Sequence, residues 1–161
     1  MTNAKELAVK SVMDLWNGRI KQVDALLENL SDEQLQKEVT PGRNRGTYLV
    51  GHLAAVNDAL LPLLNFGEAL YPNLAEPFLS KPDKAVAEVP SAKELRANWK
   101  TINDKLAGHF SKMTADDWFL KHNSVSTEDF AKEPHRNRLT VVMGRAAHMS
   151  YHIGQLVFLK K

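Results

Sequence analysis

Apolar residues recur at alternating steps of four and three along the N-terminal stretch: Val9, Met13, Trp16, Ile20, Val23, Leu27 and Leu30. That spacing lays one apolar stripe along a helix, expected over about residues 4–29. Ser31, with Gln34 three residues on, reads as the capping-box start of a short helical turn. Thr40-Pro41-Gly42 ends it. A second stripe, Leu49, Leu53, Val56, Leu60, Leu63 and Leu64, predicts a helix from Thr47 to Phe66. Pro62 has no amide hydrogen to donate and should kink it near its end. Residues 67–90 contain Pro72, Pro77, Pro82 and Pro90 and read as a long irregular connection. Ser91 and Glu94 start a third helix, with the stripe Leu95, Trp99, Ile102, Leu106, His109 and Met113. Residues 114–137 read as loop, apart from a turn over 114–117. The last helix, Arg138 to Lys160, is apolar around most of its circumference, which points to a central position. No segment alternates with period two. The fold class expected is all-α: one four-helix-bundle domain over residues 1–161, with long connections after the second and third helices.

Composition removes several chemistries. The chain has no Cys, so thiol nucleophiles, Cys-ligated zinc and disulfides are excluded together. Its 21 basic and 19 acidic side chains are interspersed, giving a net charge of +2 and no basic stripe. No nucleic-acid partner is expected. The short runs Arg43-Asn44-Arg45 and His135-Arg136-Asn137-Arg138 read as solvated loop charge. No apolar run approaches the ~20 residues of a membrane span. Met1 to Glu6 show no apolar leader. No membrane association and a cytoplasmic location are the expectations.

Histidine carries the candidate chemistry. His148 and His152 lie four residues apart in the last helix, so two imidazoles on one face can reach one metal ion. Met149 follows His148, so the metalloprotease pattern with Glu at that position is absent. On a helical wheel the pair lies opposite Leu139, Ala146, Ile153 and Val157. It shares a sector with Val141, Gly144, Gln155 and Leu159. A half-exposed outer face is one reading, but a solvent face would carry Lys and Glu, and a groove wall fits better. His52, at the margin of the second stripe, is either a core-edge residue or a third ligand. His109 reads as a buried or boundary residue, and His122 and His135 as exposed loop residues. No Glu stands three residues before any His, which excludes the di-iron carboxylate pattern.

Two segments carry a resemblance. Pro41-Gly42 leads into Thr47-Tyr48-Leu49-Val50-Gly51-His52-Leu53-Ala54, and His148-Met149-Ser150-Tyr151-His152-Ile153-Gly154-Gln155-Leu156 lies near the C-terminus. With the chain length, they resemble the DinB-like family of metalloenzymes over essentially the whole sequence. The resemblance implies a four-helix bundle with an unusual connection order, paired as a homodimer. It also implies one divalent ion, nickel or zinc, held by His52, His148 and His152. Many members carry a Trp shortly before the first His, where this chain has Arg45-Gly46-Thr47.

Three protein ligands leave a divalent ion an open position, the arrangement of a catalytic site. There a water has its pKa lowered towards ~7 and a thiol is deprotonated outright. The function expected is a metal-dependent enzyme acting on a small molecule. The resemblance favours a transferase using a small thiol such as bacillithiol, mycothiol or glutathione, ahead of a hydrolase. The alternative is a non-catalytic metal-binding bundle in stress response or protein interaction. No general base can be assigned from the sequence. Gln155 and Tyr151 are read as packing residues rather than supports of the ligands.

Overall fold

The computed structural model describes residues 3–160. Met1, Thr2 and Lys161, which include the ends of the expected domain and part of the segment read for a leader, lie outside them. Eight α-helices succeed one another among the described residues: α1 (Ala4–Asn29), α2 (Asp32–Leu35), α3 (Gly46–Asp58), α4 (Leu60–Leu63), α5 (Ala92–Phe110), α6 (Ala115–Trp118), α7 (Thr127–Lys132) and α8 (Arg138–Leu156). The fold is all-helical, with no β-strand among the described residues. Among the described residues no helix is long and apolar enough to cross a membrane.

Local chemistry fixes the starts of these helices. Ser31, Ser91 and Thr114 each cap a helix through a reciprocal bond with Gln34, Glu94 and Asp117 respectively. Packing then orders the long elements: α1 lies along α8, and α3 lies along α5 while also touching α8. Trp16 and Val23 from α1, Leu53 from α3, Leu95, Trp99 and Ile102 from α5, and Val142 and Met149 from α8 share one apolar core. Each such side chain contributes about 1.5–3 kcal/mol on burial.

The helix at the centre is α3, not α8 as its apolar circumference suggested. Eleven residues of α3 are buried, and Gly46–Asp58 contains no Lys, Arg or Glu. By contrast α8 buries Leu139, Val142, Ala146, Met149, His152 and Leu156 and leaves Met143 and Tyr151 open. It stops at Leu156, with a 3-10 turn over Val157–Lys160. The expected Thr47–Phe66 helix is divided at Ala59. The break falls ahead of Pro62, because the proline offers no amide to the carbonyl of Asp58 and its ring crowds that carbonyl.

The connection over residues 67–90 is more ordered than its prolines suggested. It contains a 3-10 turn, Pro72–Leu74, and a π-helical turn, Glu76–Ser80, with Leu74, Pro77 and Phe78 buried. It is fastened to both ends of α3. Buried Asp58 accepts from the amides of Leu70 and Tyr71 at 2.9 and 2.8 Å. At the other end the amide of Arg45 donates to Asp83 at 2.8 Å, and its guanidinium pairs with the same carboxylate at 2.7 Å. Arg45 is therefore a structural partner rather than solvated loop charge. Burial pushes the Asp83 carboxyl up, but the bonds and charge of Arg45 outweigh it and hold it below its ordinary value. Helix α7 arises where loop was expected, with Ser126 accepting from the amide of Asp129 at 3.0 Å.

Candidate metal centre

His52 projects from α3, and His148 and His152 from successive turns of α8, across the seam where these helices meet. Their Nε2 atoms converge: His52 to His148 is 3.2 Å and His152 to His148 is 3.0 Å. One ligand atom from each of the three lies within 4.8 Å of the others. With metal–nitrogen bonds of about 2.0–2.1 Å, two ligand nitrogens stand about 2.9 Å apart at a right angle and about 3.4 Å apart at a tetrahedral angle. These two separations fall between those limits.

Backbone and side-chain acceptors aim two of the rings. His52 donates from Nδ1 to the carbonyl of Phe78 at 2.8 Å, which leaves Nε2 as the lone-pair nitrogen. His152 donates from Nδ1 to Oε1 of Gln155 at 2.7 Å, with the same result. Gln155 is thus a support of the site, contrary to the packing role read from the sequence. Tyr151 stays outside, 65% exposed, with its ring edge-on to His152 at 5.0 Å. Tyr48, one turn before His52, stacks on the His52 ring at 6.4 Å and 11°.

The third ring has no such acceptor behind it. Nδ1 of His148 is buried without a partner among the described residues. Three neutral imidazoles meeting through Nε2 can satisfy one another only by sharing a single proton, carried on His148. A divalent cation would satisfy all three lone pairs, and three nitrogen donors suit nickel or zinc.

Burial disfavours the charged form of His148 and His152. Burial, followed by His152, His52 and Arg145, pushes His148 down from 6.5 to about 4. Burial also lowers His152, opposed in part by its bond to Gln155. A neutral imidazole is the form that can bind metal. The cluster contains no carboxylate.

The remaining histidines lie elsewhere. His109 is half-buried and stacked on Phe66 at 4.5 Å and 4°. His135 is exposed, as expected, whereas His122 is half-buried and accepts from the amide of Ser124 at 3.2 Å. The roles of Phe78 and Gly51 were not read from the sequence, and Gln155 was weighed there but given a packing role. An added Cβ at Gly51 would come within 2.4 Å of the Phe78 ring, so this glycine is what allows Phe78 to lie against α3. A glycine directly before a candidate ligand was the available signal.

Among curated proteins no match to the sequence is found. A family model described as the DinB superfamily matches residues 16–156, a span that includes His52, His148 and His152. The chain belongs to the DinB superfamily.

Proposed function

We propose that this chain is a divalent-metal-dependent enzyme on a DinB-like four-helix bundle, with His52, His148 and His152 as the ligands of one nickel or zinc ion. The observation that supports the reading best is the convergence of three Nε2 atoms, two of them aimed by bonds at Nδ1. A bound divalent ion supplies Lewis acidity and an open position at which a small nucleophile loses its proton near neutral pH. The protein's own part is positional. Phe78 and Gln155 hold His52 and His152 in the ligating tautomer, and burial keeps His148 and His152 unprotonated. The reaction we assign is transfer between a small thiol and an electrophilic small molecule. A chain without Cys has no thiol of its own and would take one from solution.

The test is to purify the protein without a metal-binding tag, measure its metal content, and assay electrophiles with and without a small thiol. One ion per chain with thiol-dependent turnover supports the reading. Turnover that ignores the thiol would point to hydrolysis. A loaded protein inert in every assay would point to a metal-binding module.

A further inference from the structure

Arg145 stands one turn before His148 on α8, close enough for its charge to act on that ring. It is half-buried, its Nε is enclosed without a partner, and its guanidinium makes no ion pair or hydrogen bond to any described residue. Burial alone lowers its pKa, with no carboxylate to offset the cost. A half-buried cation left without a partner is costly; Arg45 and Arg96 pair with Asp83 and Asp32, whereas Arg138 shares the enclosed, unpartnered Nε.

The guanidinium lines an open surface depression of ≈ 390 Å3, together with Ala59, Pro62, Leu63 and the exposed Asn123 and Ser124. That volume is within the range of small-molecule sites. Asn123 is fixed in its wall, donating from its side chain to the carbonyl of Pro62 at 2.6 Å and from its amide to Leu63 at 2.9 Å. The hydroxyl of Ser124 has no partner among the described residues, so two free donors face one space. Ala59 lies two turns beyond His52 on the same side of the chain's central helical segment, and Arg145 one turn before His148. Helical rise puts Arg145 about 5 Å along its helix from His148, and Ala59 to Pro62 about 10–15 Å from His52.

We propose that Arg145 and Ser124 form an oxyanion-binding subsite, which holds a carboxylate or phosphate group of a substrate whose reactive end meets the three histidines. The subsite itself stands on the depression. Its assignment to a substrate rests on the function proposed above. Arginine's planar fork matches either oxyanion in two parallel hydrogen bonds.

Metal-free and metal-loaded protein would be titrated with inorganic phosphate and with acetate at constant ionic strength, followed by amide NMR and calorimetry. At least one anion should bind and shift the amides of Asn123 and Ser124, and the tighter of the two identifies the group. Arg145→Gln should weaken it at least tenfold, and Ser124→Ala about threefold, with metal content unchanged. Arg145→Lys, which keeps the charge but not the fork, supplies the comparison if Arg145→Gln does not fold. Anion binding of equal strength in these variants, or none in the wild type, overturns the subsite. Wild type that takes no metal but binds the anion through Arg145 keeps the subsite and sinks the metal reading. Metal-loaded wild type indifferent to both anions does the reverse.

Discussion

Phe78 lays its ring against the backbone of Gly51 and accepts a hydrogen bond at its carbonyl from Nδ1 of His52. One residue of a connecting segment thus packs on the central helix and orients a candidate ligand of the next residue along. The contact depends on anchors at both ends of α3, where Asp58 holds Leu70 and Tyr71 and Arg45 holds Asp83.

Gly51→Ala should therefore disturb stability and site together. The added methyl would meet the Phe78 ring at 2.4 Å, and overpacking of this kind costs about 1–3 kcal/mol. The shifted carbonyl should lower metal affinity about 10–100-fold, the usual effect of losing a partner behind a ligand. Urea unfolding and metal titration of the variant measure the two effects. An unchanged affinity would mean that Phe78 does not orient His52.

Gln155→Ala separates the two effects. The side chain is half-buried and its bond goes to Nδ1 of His152. Stability of the metal-free protein should fall by only about 0.5–1.5 kcal/mol, the net worth of one hydrogen bond, while metal affinity falls about 10–100-fold. Competition with a chromophoric chelator reads the affinity directly.

The metal-free protein should lose stability in acid through His148. Its native pKa, about 4, lies below the ordinary 6.5, so between these values the unfolded chain binds more protons than the native one. Stability is then fully present above pH 6.5, declines as pH falls through the interval, and levels off below about 4. His152, also lowered, acts in the same direction. His148→Gln should flatten part of this slope in denaturant titrations between pH 4 and 7, a range set by those same two values. An equal slope in the variant would assign the acid sensitivity to other groups.

Chelation should soften the protein without unfolding it, since the apolar core does not include the histidines. An ion present at a hundredfold excess over Kd adds about 2.7 kcal/mol. For a domain of this size each kcal/mol moves Tm by roughly 2–4 °C, so a chelator should lower Tm by roughly 5–11 °C with helicity intact. Complete unfolding would make the ion structural.

What was legible in the sequence follows from the range of the interactions. The span of α1 and the starts of α2 and α5 depend on residues three or four apart, and they appear where the spacing put them. His148 and His152 were legible as a pair for the same reason, whereas bringing His52 to them took the resemblance. The order within residues 67–90 was hidden because its anchors are distant: Arg45 and Asp83 are 38 positions apart, and His52 and Phe78 are 26 apart. Gln155 was misread for another reason. Its position three residues after His152 is compatible with either packing or support, and only the side-chain geometry distinguishes them. The burial of α3 over α8 turned on charge more than apolar content, since α3 has no Lys, Arg or Glu.

The central claim is tested most directly by calorimetric titration of the metal-free protein with nickel and zinc near neutral pH. The account predicts one ion per chain in the wild type, and in the His122→Ala and His135→Ala variants. It predicts sharply weakened binding in His52→Ala, His148→Ala and His152→Ala. No binding by correctly folded wild type, or loss of binding in the two loop variants equal to that in the three cluster variants, would contradict it.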